Sequence, residues 1–139
     1  MARPRLYQLL RHAGHRLSKH AGAECREQLG VSPAQLGVVL VLGNEDGQRL
    51  SKLAASLGVN KSAMTKLAEQ LLALRHVERR ASASDGRASE LWLTEEGRAL
   101  LRRGRPLEQR LTAELTEGFT PQEIETVSRF LTTLIERTR

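Results

Sequence analysis

Between residues 60 and 66 stand an asparagine, two lysines, a serine and a threonine, spaced so that one short helix could present them together. Asn60 can cap such a helix by accepting a backbone N–H through its side-chain oxygen. Lys61, Ser62, Thr65 and Lys66 would then project from its first two turns, with Glu69 and Gln70 beyond them. This chemistry is recognition rather than bond-making: lysines neutralise phosphates, and hydroxyls and ammoniums reach base edges in a major groove. The same set also suits an ordinary solvated helix face. Another group, His12, His15, His20, Glu24 and Cys25, superficially resembles a metal site. On one helix, however, His12 and His15 share a face while His20 and Cys25 are rotated away, so no tetrahedral ligand set forms and no metal is expected. No nucleophile elbow, phosphate loop or other catalytic arrangement occurs, so neither enzymatic activity nor a cofactor is expected.

Two helices must hold the first group in place. In residues 51–72, Leu53, Ala54, Leu57, Val59, Met64 and Leu67 supply the apolar contacts of two helices crossing steeply, small Ala54 allowing close approach. Gly58 stands where the first must stop, because a left-handed residue after a helix is cheapest as glycine. The pattern is that of a helix-turn-helix. After Arg75 the spacing becomes extended: Val77 to Ala81 and Ser89 to Leu93 flank Ser84, Asp85, Gly86 and Arg87, which predicts a β-hairpin with an Asp-Gly tip. A hairpin directly after a helix-turn-helix is a wing.

The flanks are helical. Leu6, Leu9, Leu10, Ala13, Leu17 and Ala21 recur at helical spacing, whereas Ser32, Pro33 and Gln35 read as a capping box opening a second, mostly buried helix with Leu36, Val39, Leu40 and Leu42. The run from Gly43 to Gly47 is expected to be a turn. Thr94 caps a fifth helix with Glu95 and Glu96 at its positive end, and Gly104 and Pro106 are expected to bend or divide it. Thr120, Pro121 and Glu123 repeat the capping box before an amphipathic last helix carrying Ile124, Val127, Phe130, Leu131, Leu134 and Ile135.

Composition sets the bounds. The 139 residues suit a single domain. With 40% hydrophobic and 27% charged residues the balance is that of a soluble globular protein, and the longest apolar run, Val38 to Leu42, is far too short to span a bilayer. No secretory signal is evident, and a single Cys25 forms no internal disulfide, so a cytoplasmic protein without a membrane partner is expected. The net charge of +6 is unevenly placed: residues 49–90 carry eight basic and four acidic side chains, residues 91–139 eight of each. The excess lies over the helix-turn-helix and wing, where a polyanion would be met.

The order of four helices, a winged hairpin and two more helices resembles the MarR (multiple antibiotic resistance regulator) family of bacterial transcription regulators. The likeness rests on LSKLAASLGVNKSAMTKLAEQLLALRHVERR followed by SDGRASELWLTEEG, in which Asp85 and Arg87 match the family's wing-tip D-x-R and Leu93, Thr94 and Gly97 its L-T-x-x-G. It implies a mainly α fold with a small β-hairpin wing, a winged helix-turn-helix (33–97) flanked by dimerisation helices (1–30 and 98–139) within one domain. It further implies a homodimer on a pseudo-palindromic double-stranded DNA operator, a nucleoid-associated repressor released by a small-molecule effector. By this resemblance the fourth helix enters the major groove, with Ser62, Thr65 and Lys66 as base-edge candidates and Lys61 near a phosphate. Arg87 enters the minor groove, oriented by Asp85, while Arg79 and Arg80 are phosphate contacts or intramolecular partners. No early arginine stands in the fourth helix, so the bidentate guanine contact is missing unless a lysine substitutes, and shape readout gains weight. Few aromatics are available to wall an effector pocket, and no residue is assigned to one. A winged-helix module that binds protein instead of DNA is the alternative.

Overall fold

The computed structural model describes residues 5–84 and 86–138. The expected Asp85 contact therefore lies outside the described residues. The chain divides into two compact units, residues 1–107 and 108–139.

In the first unit, α1 (Leu6–Leu29) ends on Gly30 at φ 70°, and α2 (Pro33–Asn44) starts from the expected capping box. The Ser32 hydroxyl accepts from the Gln35 amide at 3.1 Å, and the Gln35 side chain accepts from the Ser32 amide at 3.0 Å. Apolar almost all round, α2 buries Leu36, Val38, Val39 and Leu42 and forms the centre of the core. Around it pack Leu53, Met64, Leu67, Leu71, Val77, Leu91, Leu93 and Leu100.

The sheet has three strands in the order β1-β3-β2, all antiparallel: β1 (Gln48–Arg49), β2 (Val77–Ala81) and β3 (Ser89–Leu93). The wing hairpin matches the sequence expectation, with Val77 opposite Leu93 and Ala81 opposite Ser89. Two details differ from it. First, α2 runs through Asn44, so the turn is shorter than Gly43 to Gly47. Gly43 lies inside the helix, where its lack of a side chain leaves room for α5: a Cβ there would sit 2.7 Å from the Leu101 methyls. Second, β1 pairs with β3 (Gln48 opposite Leu91, Arg49 opposite Glu90). Buried Gln48 donates to the Glu45 carbonyl at 2.6 Å, just past the end of α2, and adds a second donor at 3.3 Å to the Val41 carbonyl, which already accepts from the Glu45 amide.

Of the two outcomes expected at Gly104 and Pro106, division of the helix is not found, since α5 (Glu95–Thr116) continues through both. Gly104 is buried against α2, where a Cβ would lie 2.4 Å from Leu36 Cδ1, and Leu107 is buried one turn on. Packing on both sides of the proline thus holds the helix together despite the amide it lacks. The second unit holds the end of α5 and α6 (Pro121–Arg137), which opens with a complete capping box from Thr120 and Glu123.

Candidate nucleic-acid interface

The helix pair is α3 (Leu50–Leu57) and α4 (Lys61–Ala73). Gly58 ends α3 in the left-handed conformation at φ 67°, and the Asn60 side chain accepts from the Ala63 amide at 2.8 Å. Cap and stop signal therefore stand one residue either side of Val59. Met64, Leu67, Ala68 and Leu71 turn inward, fixing which face of α4 looks out. On that face Lys61, Ser62 and Lys66 are exposed. Thr65 is half-buried, and its hydroxyl donates to the Lys61 carbonyl at 2.9 Å, leaving its oxygen lone pairs for an incoming donor. Gln70 is tied inward, accepting from Gln35 Nε2 at 3.0 Å and so locking α4 to the start of α2. An open cleft of about 400 Å³, lined by Leu50, Ser51, Ala54, Lys61, Met64 and Thr65, separates the two helices on this side.

Beyond α4 the chain reverses through Arg75, whose φ of 63° is unusual for a residue with a side chain. The reversal is locked by Thr94 and Gly97. The Thr94 hydroxyl donates to the Arg75 carbonyl at 2.6 Å and accepts from the Gly97 amide at 3.0 Å, and the Thr94 amide donates to the His76 carbonyl at 3.1 Å. A Cβ on Gly97 would lie 2.0 Å from that His76 oxygen. The L-T-x-x-G segment thus fastens the end of the wing to the end of α4.

In the wing, Arg87 is exposed near the tip. Arg79 is exposed in β2 opposite Leu91. Arg80 makes intramolecular contacts: its Nε donates to Glu78 at 2.7 Å and its guanidinium lies 4.5 Å from the centre of the Trp92 ring. Trp92 in turn covers Gly47, where φ is 69° and a Cβ would meet the indole at 2.2 Å. Arg80 is thereby held against the sheet face. Asp46 orders the neighbouring turn by accepting from the amides of Gly47 at 3.0 Å and Leu93 at 2.9 Å.

The structure thus gathers Asn60, Lys61, Ser62, Thr65 and Lys66 on the first turns of one capped helix, with Arg79, Arg80 and Arg87 on the adjoining hairpin. Sequence reasoning missed Gln48 and Trp92 as the supports of the wing, and it missed Arg49. The signal for Arg49 was present: a cation immediately before a helix opposes the helix dipole and calls for another use. Among the described residues no group of three or more His, Cys, Asp or Glu side chains could hold a metal ion. Nor is any helix among the described residues long and apolar enough to cross a membrane.

A capped helix pair closed by Gly58 and followed by a two-stranded wing defines a winged helix-turn-helix protein. Residues 29–88 match the family model described as "MarR family". The HTH-type transcriptional repressor MdtR of Bacillus subtilis (strain 168) is 35% identical over 74 residues, which are 53% of this chain and 48% of that repressor. The match thus spans about half the length of the relative. Over whole chains, the M. tuberculosis transcriptional regulator MOSR, solved in complex with DNA, is 27% identical with a TM-score of 0.78, covering 97% of this chain and 96% of that one. A MarR/EmrR family regulator from Acinetobacter sp. ADP1 shares the fold at a TM-score of 0.86 and 18% identity, over 95% and 93% of the two chains. Over residues 29–88 the chain is thus similar to the MarR family, and over nearly its whole length it has the fold of a MarR/EmrR family regulator.

Proposed function

We propose that the protein is a homodimeric, sequence-specific transcription regulator of double-stranded DNA, a repressor whose operator binding is released by a small-molecule effector. The observation that carries this reading is the capped α4 helix, which exposes Lys61, Ser62 and Lys66 on the face opposite its buried residues, beside a wing with exposed Arg79 and Arg87. The MOSR structure, a whole-chain relative in complex with DNA, supports the same partner.

In this reading residues 33–97 are the DNA-binding region of one MarR-like domain, and 1–30 and 98–139 supply dimerisation helices. Asn60 caps α4, whose positive end with Lys61 attracts a phosphate. Ser62, Thr65 and Lys66 face base edges, and Arg87 enters the minor groove with Asp85 as its orienting partner. Arg79 contacts phosphate, whereas Arg80, engaged by Glu78 and Trp92, acts as a support of the wing. Two such units in an isologous dimer meet a pseudo-palindrome with half-sites about one helical turn apart. Such a protein works in the bacterial cytoplasm on the nucleoid and performs no catalysis.

Selection of bound fragments from random duplex DNA tests the proposal, because it yields half-site and spacing together. A symmetric site, bound with an affinity that falls steeply between 50 and 200 mM salt, is expected from counterion release. A winged-helix module for protein partners would select no duplex.

A further inference from the structure

Arg49 occupies a position that helix formation does not favour. It is the residue from which α3 starts, with extended backbone (φ −67°, ψ 151°) and no capping bond from its side chain. Caps are normally Ser, Thr, Asp or Asn, and a cation here faces the positive end of the helix. Its guanidinium is used elsewhere. Nη2 donates to Ser84 Oγ at 2.6 Å and to Ser82 Oγ at 3.1 Å, and the two hydroxyls lie 3.2 Å apart.

These contacts cross the sheet. Arg49 belongs to β1 and the serines follow β2, while β3 lies between the two strands. One side chain therefore ties the segment entering the helix-turn-helix to the loop leaving the wing's first strand. Ser82 is 7% exposed, and its amide donates to the Ala88 carbonyl at 3.0 Å, closing the base of the loop that carries Arg87. Ser84, by contrast, is exposed.

We infer that Arg49 is a positioning residue for the minor-groove contact: it fixes the direction in which the wing loop leaves the sheet and acts on DNA through Arg87 rather than by touching it. The inference rests on the regulator reading above. It also gives Ser82 and Ser84 a role, since they are the acceptors that turn a helix-start arginine into a strap.

Two measurements test it on the full-length protein. In the free protein, the Ser82 amide of Arg49→Ala is expected to exchange roughly ten-fold faster than in the wild type, while α2 core amides keep their protection. Unchanged exchange at Ser82 would overturn the strap. On an operator selected with the wild type, Arg49→Ala and Arg87→Ala are each expected to weaken binding by roughly ten-fold. The double variant is expected to be no weaker than Arg87→Ala alone, while Arg49→Ala combined with Lys61→Ala gives additive losses. Ser84→Ala keeps the arginine charge, stands at an exposed position and serves if Arg49→Ala fails to fold; it is expected to weaken binding in the same direction. Additive losses for Arg49 and Arg87, unimpaired binding by Ser84→Ala and a reduced salt slope for Arg49→Ala would make Arg49 a phosphate contact and overturn the inference. If the wild type binds no duplex even at low salt, the regulator reading fails, and the exchange experiment still decides whether Arg49 holds the loop.

Discussion

Thr94, Gly97 and the His76 carbonyl meet within hydrogen-bond distance, and this small cluster decides whether the wing stays attached to the end of α4. Gly97→Ala would drive a methyl group into a backbone oxygen, which no rotamer change can relieve. A loss of about 1–3 kcal/mol of stability is expected, measured by denaturant unfolding. Arg87→Ala is expected to leave the protein folded and to weaken operator binding by about 1–3 kcal/mol; equal affinity at physiological salt would remove Arg87 from the interface. Cys25 behaves differently again. Burial pushes its thiol above the ordinary value, opposed by the Arg26 charge and reinforced by Glu24. Because the folded state favours the neutral thiol, its contribution is complete below the unfolded value of about 8.5 and is lost as pH rises through the raised folded one. The melting temperature of the wild type is therefore expected to drop more steeply above about pH 8.5 than that of Cys25→Ala, and folded Cys25 is expected to react slowly with thiol reagents at neutral pH.

The elements differ in how local their causes are. The start of α4 is set by one side chain, so Asn60→Ala is expected to cost about 1 kcal/mol in unfolding free energy and to fray the turn that presents Lys61 and Ser62. Such features were legible in the sequence: both capping boxes, the Gly58 stop and the wing strands depend on residues within a few positions of each other. The two-residue strand β1 was not legible. It has too few residues to show an alternation, and it exists because Gln48 and Arg49 find Leu91 and Glu90 some forty positions later. The continuity of α5 was not legible for a related reason: proline opposes a helix locally, but the close approach of Gly104 to Leu36 is a tertiary fact that the local sequence does not record. At the candidate site, residue types and spacing picked out side chains that the structure brings together on α4 and the hairpin, whereas their supports stayed hidden. Trp92 over Gly47 and Arg49 on the two serines each join segments more than thirty residues apart, and no periodicity records such pairs.

In the C-terminal unit none of the residues of α6 is buried, and Val127, Phe130, Leu131 and Ile135 lie exposed on it, with Leu115 and Phe119 exposed just before. A 17-residue helix that buries none of its residues gains little from tertiary packing and is marginal in water. In the N-terminal unit α1 likewise leaves Leu6, Tyr7, Leu9 and Leu17 exposed, apolar residues for a second copy to cover. The melting temperature is accordingly expected to rise with protein concentration, and Leu131→Glu to yield a monomer by sedimentation with weakened operator binding. A concentration-independent melting temperature would contradict dimerisation through these helices. A helix none of whose residues is buried also ties the lifetime of the chain to its abundance. Scarce, newly made copies would present α6 to proteases before a partner arrives, and plentiful ones would shield each other, so that a cell making little of this protein would retain a still smaller share of it.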